Sequence, residues 1–509
     1  MDYKLKKDRI ALCETVYDAD TELPIECDLL LPDYCADIVK LLRCRVKPYL
    51  TKSQVMGEKC MLEGKIEVSL YYAGTDGKLQ VSEHKAEFSK TLEMRGAVRN
   101  PMVFCSLREE YFNGKAISQR RVDLRGALTA SVKVISCDEE EMVSAAEGAG
   151  LQLRRQPMVC TQLSGEILRR FTLRDEMPFP ENLPAPQRIL RHDERVRVTD
   201  WRIAGAKLLV KGELQMDLVY LSREDTVERT AFQLPVSQMV DLDTVVEAGS
   251  GRVFLQILGA SLHLQAMDDG SAGLAVEYAL LLKGIASREC TILPAVDAYS
   301  TQYEVLKEDR RGMLVQQVAG LPVSLPVPCN IPLPEGMTAV FDSFCDGRAL
   351  ALRPASDGLW LSGKLRWCVL GLDGDGVPVC IEKEEPLSLS IPLSGVGEDC
   401  IGLWQITVQE QGIGTEEKGH LCCSAQITVD GALYRTEQVQ YLTGLRVDES
   451  RAKKPITENA MTIYYADAGE SLWSIAKEYQ TSMEAVMEEN GLENAYLEEK
   501  KAILIPMIG

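Results

Sequence analysis

Three stretches of this chain carry one pattern of apolar and polar positions in one register. CMLEGKIEVSLYYAGTDGKL (60–79), LLVKGELQMDLVYLSREDTV (208–227) and LWLSGKLRWCVLGLDGDGVP (359–378) align on Gly64, Gly212 and Gly363, which lie 148 and 151 residues apart. Leu62, Val210 and Leu361 then coincide. So do Ile66, Leu214 and Leu365; Val68, Met216 and Trp367; and Leu70, Leu218 and Val369. Polar residues fill the positions between, among them Lys65, Glu213 and Lys364. Period-two alternation predicts a strand with one face buried. A glycine inside such a strand marks a bulge or a close approach of another backbone. Asp76-Gly77 and Asp375-Gly376 follow at one offset and predict hairpin turns, because glycine accepts a positive φ there.

The flanks repeat as well. Leu42 and Leu190 each lie 22 residues before their glycine. VDLRGALTASVKVIS (122–136), GLAVEYALLLKGIAS (273–287) and LCCSAQITVDG (421–431) read as further strands. Proline-dense MPFPENLPAPQ (177–187) and LPVSLPVPCNIPLPEG (321–336) read as joints between units. The chain is therefore expected to be mainly β, with three antiparallel β-sandwich or barrel-like repeats at 1–165, 166–312 and 313–450. Helix is expected early only at YCADIVKLLR (34–43), whose apolar spacing is amphipathic. A polar linker at 451–460 leads to a last unit, 461–509. There MTIYYA predicts a strand, and Leu472, Ile475, Ala476 and Tyr479 line one face of a helix. Thr481-Ser482 caps a second helix with Met483, Val486 and Met487 inward, and AILIP closes with a strand.

Charge narrows the function classes. The 509 residues carry 56 Lys plus Arg against 76 Asp plus Glu, a formal charge of −20. Such a chain repels nucleic-acid phosphates and anionic lipid heads. MDYKLKKDRIALCETVYDAD holds no apolar leader core, and no apolar run reaches the length of a membrane span. Sixteen cysteines are scattered without a CxxC, and only four histidines occur. Reduced, mostly buried thiols are expected, with no disulfide, metal or cofactor.

Catalytic signatures are absent: there is no GxSxG, HExxH, GxGxxG or GxxxxGK[ST]. DEEE (138–141) reads as a solvated turn rather than an acid/base pair, and GLDGDG (371–376) as a hairpin rather than half a calcium loop. His84, His192, His263 and His420 lie in four separate segments. No enzyme activity is expected.

GESLWSIAKEY (469–479) after a strand, with Asn490 and a terminal ILIP, resembles the LysM family. The lead-in LPDYCADIVKLL (31–42), the glycine-centred strand followed by Tyr72 or Tyr220, and VDAYST (296–301) are similar to the SPOCS domain. In the third repeat Gly371 replaces that tyrosine. SPOCS-type repeats followed by LysM resemble SipL-like spore coat morphogenesis proteins. That resemblance implies a non-catalytic scaffold in endospore coat assembly, in the mother-cell cytoplasm at the outer forespore membrane. It further implies docking through LysM to SpoIVA, the ATPase of the coat basement layer.

The alternative is a peptidoglycan-binding protein or cell-wall enzyme accessory, gripping N-acetylated glycan through Gly469, Glu470, Ser471, Leu492 and Asn494. Against that, Lys500-Lys501 stands where glycan-binding modules carry Gly-Gln, and residues 461–509 hold nine acids and three lysines. An acidic surface steers a basic protein partner rather than a neutral sugar. The partner-binding candidates are Trp473, Ile463, Tyr465, Lys477 and Lys501. Trp473 falls one position off the apolar stripe, so it either covers the edge of the small core or anchors a partner. Tyr464 and Tyr465 are adjacent on a strand, so one of them faces away from the core. Lysines at such positions are more often solvated than paired.

Overall fold

A computed structural model describes residues 3–96, 98–242, 250–411, 415–417, 419–454 and 461–506. The first repeat runs β1 (Lys4–Leu30), β2 (Ile38–Met56), β3 (Lys59–Gly74), β4 (Leu79–Glu93), β5 (Pro101–Ser118) and β6 (Arg121–Glu147). β2-β3-β4 form one antiparallel meander, and β1-β6-β5 form a second sheet. A short β7 (Leu151–Arg155) leads to the second repeat. This comprises β8 (Met158–Pro178), β9 (Pro186–Ala204), β10 (Lys207–Ser222), β11 (Val227–Asp241), β12 (Ser250–Ala266) and β13 (Ala272–Ile292). Its sheets are β9-β10-β11 and β8-β13-β12, the same topology. β14 (Ala295–Ser300) pairs back with β7.

The third repeat splits its first strand into β15 (Tyr303–Gly320) and β16 (Val323–Pro332). It continues through β17 (Ala339–Ala355), β18 (Gly358–Leu372), β19 (Pro378–Pro392), β20 (Cys400–Glu410), β21 (Thr415–Glu417) and β22 (His420–Ala452). In each repeat the two sheets close over one apolar core; Leu62, Ile66 and Val68 of β3, for example, meet Leu124, Leu128 and Val132 of β6. The architecture is the expected series of β-sandwich repeats.

The three glycines occupy equivalent places. Opposite each, the neighbouring strand bulges: at Leu50/Lys52 in β2, between the partners of Lys211 and Gly212 in β9, and at Arg348/Ala351 in β17. The bulge drives a carbonyl at the glycine. A Cβ would stand 2.6 Å from Tyr49 O at Gly64, 2.6 Å from Arg197 O at Gly212 and 2.9 Å from Arg348 O at Gly363. Side chains alternate across the pleat, so the bulge also re-aims the strand that crosses the central meander. Tyr72 and Tyr220 tie each meander to its lead-in through O–H bonds to Ala36 O and Pro184 O, both 3.0 Å. In the third repeat Gly371 instead leaves room for Ala339 O.

Several expectations are corrected. Residues 34–43 are not helical: a turn precedes β2. Register shifts at Ile38/Lys40 and Leu41/Arg43 break the alternation, and two bulges in six residues give a strand the apolar spacing of a helix. The proline-rich stretches are not joints between units. The first links β8 to β9, and the second is largely β16, whose prolines all point to solvent and which pairs with β22 alone. The boundaries expected at 165/166 and 312/313 fall inside β8 and β15, so the repeats change over near β7 and β14. DEEE is strand rather than turn: Glu139 pairs with Arg9 at 3.2 Å and Glu141 with Lys7 at 3.3 Å across β1. Cys13 and Cys137, expected as free thiols, are directly opposed in the β1–β6 ladder and form a disulfide.

The long outer strands run on beyond each sandwich and meet. Cys13, Met102 and Ile135 of the first repeat pack with Leu163 and Ile285 of the second and Val315, Ala432 and Tyr434 of the third. Charges fasten the same junction. Arg45 of β2 reaches Asp193 of β9 at 2.9 Å and Asp346 of β17 at 2.8 Å, while its guanidinium lies 4.6 Å from the centre of the Phe344 ring. Arg191 holds Asp342 at 2.7 Å. By register, Arg43, Arg191 and Asp342 are equivalent positions, as are Arg45, Asp193 and Phe344. Three copies of one charge at a buried junction would repel. The equivalent positions instead carry complementary groups.

Candidate functional site

The C-terminal module is β23 (Met461–Ala466), α1 (Leu472–Glu478), α2 (Met483–Asn490) and β24 (Lys501–Pro506). Its core is Ala466, Leu472, Ile475, Ala476, Val486, Leu497, Ile503 and Ile505. Ser482 caps α2 by accepting from Ala485 N at 3.1 Å, and Gly491 ends it in the left-handed conformation. Asn490 locks α2 to β24, donating to Leu504 O at 2.6 Å and accepting from Leu504 N at 2.7 Å.

One side of this module is seated on the repeats. Trp473, off the apolar stripe of α1, donates its indole N–H to Asp297 at 2.9 Å and meets the Tyr299 ring edge-on at 4.8 Å. Lys477 reaches the same Asp297 oxygen at 2.6 Å, and Lys307 reaches the other at 2.7 Å. Burial works to raise the Asp297 pKa, but the bonds from Lys307, Lys477 and Trp473 outweigh it and hold the carboxyl well below the usual range. Tyr299 donates to Thr481 O at 2.7 Å, and Arg154 of β7 donates to Tyr496 at 2.7 Å. Asp297 and Tyr299 belong to the VDAYST segment, here β14. Trp473 is 4% exposed. Two of the five candidate partner-binding side chains, Trp473 and Lys477, thus face the chain's own repeats.

The other three lie in the open. β23 and β24 pair so that Met461 opposes Pro506, Ile463 opposes Leu504 and Tyr465 opposes Ala502. These form the face turned away from the helices, while Tyr464 and Ile503 turn in. Ile463 is 60% exposed and Tyr465 74%. Lys501 is exposed as well, but it opposes inward Ala466 and shares the side of Ile503 and Ile505, so it lies off this face. Adjacent residues on a strand take opposite faces, which decides between the two tyrosines.

The loops named for glycan binding are closed on each other. Gly469 N–H bonds Leu497 O at 2.7 Å, Leu472 N–H bonds Ala495 O at 2.9 Å, Leu497 N–H bonds Glu470 O at 3.1 Å, and Ser471 bridges Tyr496. The Glu470 carboxylate accepts from Tyr464 O–H at 2.7 Å and from Asp467 N at 3.0 Å. Leu492 packs on the module core, Asn494 donates to Glu498 at 3.0 Å, and Lys500 pairs with Asp467 at 2.9 Å.

Other candidates resolve into structure. The four histidines lie on four strands, β4, β9, β12 and β22. His192 belongs to the junction. Burial opposes its protonation, yet Glu194 and Glu83 prevail and push its pKa up to about 9. Glu109, buried near Asp346, is pushed up to about 7, with Arg366, Arg43 and Arg45 opposing. GLDGDG is the β18–β19 hairpin, where Asp373 accepts from Asp375 N at 3.0 Å and Val377 N at 2.9 Å. A cavity of about 1420 Å³ opens at the junction of the repeats. Its charges are largely spent on one another, as in Arg108–Asp20 at 2.7 Å and Lys133–Asp18 at 2.9 Å. No helix among the described residues is long and apolar enough to cross a membrane.

Comparison with known families agrees with these geometries. Residues 37–117 match the family described as SipL, SPOCS domain, and residues 466–506 match the LysM domain. No curated protein and no solved structure matches the chain. The chain carries a SipL-type SPOCS domain and a C-terminal LysM domain, neither of which is a catalytic family.

Proposed function

We propose that this protein is a non-catalytic adaptor of endospore coat assembly, docking to a SpoIVA-like coat ATPase through the open sheet face of its LysM module. The observation that supports this most is the apolar strip of exposed Met461, Ile463 and Tyr465 with half-buried Leu504 opposite Ile463, on a module whose other side is already seated on the repeats. A strip of large apolar side chains on an otherwise acidic, soluble-looking module is what a protein partner covers. The pairing of SPOCS and LysM domains supports the sporulation setting, and with it a place at the mother-cell face of the forespore. Further coat components would then be gathered by the three repeats, which the seated module holds at a fixed distance from the coat layer.

The glycan reading has less support, because the loop donors at Gly469 and Leu497 are satisfied internally. One experiment separates the two: binding of the purified full chain to a SpoIVA-like ATPase and, in parallel, to purified peptidoglycan. Binding to the ATPase is expected. Retention on peptidoglycan with none on the ATPase would replace this reading with the wall-binding one.

A further inference from the structure

Three side chains that the sequence spaces too widely to read as a motif converge on the third repeat. Cys368 lies on β18, and Cys380 and Glu382 lie on β19. Their two sulfurs and a carboxylate oxygen all fall within 4.8 Å of one another. The ladder explains this: Cys368 directly opposes Glu382, and Cys380 opposes Leu370, so all three share one face of the sheet. That face is the seam with the first repeat, where Tyr71, Leu42, Leu79 and Val81 pack against Cys368, Leu370 and Cys380. Cys368 is fully buried, Cys380 is half-buried, and the Glu382 side chain keeps 39% of its surface open to solvent. From across the seam Arg43 donates to Glu382 at 2.7 Å.

We propose that Cys368, Cys380 and Glu382 form a site for one thiophilic divalent cation, zinc, at the seam between the first and third repeats. Two sulfur donors select against magnesium and calcium, which take oxygen ligands, and a carboxylate is an ordinary third ligand for zinc. Tetrahedral zinc with Zn–S near ~2.3 Å holds its ligand atoms ~3.5–4 Å apart. The three ligand atoms, all within 4.8 Å of one another, reach that spacing with at most small side-chain rotations. The fourth position falls on the open Glu382 side, where water enters.

Charge also balances. Two thiolates and one carboxylate carry three negative charges, which the divalent cation and Arg43 together neutralise. Binding releases the two thiol protons to solvent. Arg43 then acts as the outer partner that orients the ligating carboxylate. Metal would thereby fasten the β18–β19 hairpin to the first repeat through the Glu382–Arg43 contact.

The test uses the full chain, purified under reductant, stripped of metal and titrated with cobalt(II). Cobalt is a spectroscopic stand-in for zinc whose thiolate ligands give a charge-transfer absorption. One cobalt per chain with that absorption is expected, displaced by stoichiometric zinc. Cys380→Ser should cut the absorption per bound cobalt to about half, the share of the remaining Cys368 thiolate, and weaken binding by at least roughly a hundredfold, the upper end of what loss of an outer-shell partner costs. Glu382→Gln should keep the absorption but weaken binding. Circular dichroism and melting show that each variant is folded. Cys380 is chosen over the buried Cys368 because its loss disturbs the core least. Failure of the reduced chain to take up stoichiometric metal would overturn the proposal. So would a thiolate absorption of undiminished strength in folded Cys380→Ser, which would place the metal on other cysteines.

Discussion

Asp297 accepts the indole N–H of Trp473 at 2.9 Å, joining a residue of the second repeat's closing strand to a residue of the C-terminal module 176 positions later. The same carboxylate holds Lys477 and Lys307, so one half-buried acid fixes the orientation of α1 on the repeats. Asp297→Asn keeps the shape but removes the charge that two ammonium groups share. Hydrogen bonds to charged groups contribute about 1.5–3 kcal/mol. The seat should weaken by roughly that amount, with faster hydrogen exchange in 295–300 and 472–490 and an unchanged rate in the β23–β24 strands. Exchange rates equal to those of the parent chain would show that the seat does not depend on Asp297.

The partner face and the seat are separable. Ile463→Asp and Tyr465→Ala alter side chains that contact nothing in the module's core, so folding should be kept. Losing an anchor of this size at an interface costs roughly 2 kcal/mol, about thirtyfold in affinity for a SpoIVA-like ATPase. Trp473→Ala, by contrast, should first loosen the seat. A folded Ile463→Asp chain that binds as tightly as its parent would move the docking surface elsewhere on the module.

The three bulge glycines should behave alike. Gly64→Ala, Gly212→Ala and Gly363→Ala each press a methyl group to within 3 Å of a carbonyl of the neighbouring strand. Overpacking of this kind costs about 1–3 kcal/mol. Gly363 should suffer most, because its φ of +148° is one that side-chain-bearing residues rarely adopt. Thermal melts of the three variants test the equivalence of the repeats one site at a time.

Arg45 is the common cation of Asp193 and Asp346. Arg45→Met takes the shared cation from two half-buried carboxylates, leaving Lys47 and Arg191 on Asp193 and Arg43 beside Asp346. Breaking a fully buried pair from one side costs about 3–5 kcal/mol, and the cations that remain keep this loss below that range. The melt should drop sharply, and restoring charge balance with Asp346→Asn in the same chain should recover part of the loss.

Stability should fall as pH rises from about 5 to 9. His192 has a folded pKa of about 9 against an ordinary 6.5, so its contribution is complete below 6.5 and is lost as pH climbs through 9. Glu109 sits near 7 against an ordinary 4.5, so the folded chain keeps a proton that the unfolded chain has released, and stability declines across that window too. Glu194, held down at about 2 chiefly against burial by His192 and Lys47, works the other way only below its ordinary 4.5. Melts of the parent chain and His192→Gln at pH 6.5 and 9.5 should differ most at the lower pH.

What the sequence determined by itself is local. Side chains alternate on a strand and recur every three to four residues on a helix, so the three central strands, their hairpin turns and the βααβ module were readable from spacing alone. The glycines announced bulges because only a missing Cβ admits a carbonyl so closely. Where bulges multiplied, as at Ile38–Arg43, the same reading failed, since a broken alternation imitates helical spacing. The tertiary structure alone decided everything that depends on which strand lies beside which: the Cys13–Cys137 bond, the complementary charges at the junction, and the convergence of Cys368, Cys380 and Glu382. It also decided the fate of Trp473. Its place off the stripe showed that it leaves the module's core, but the acid it turns to comes from a fold-back of 176 residues, and no local spacing encodes such a contact.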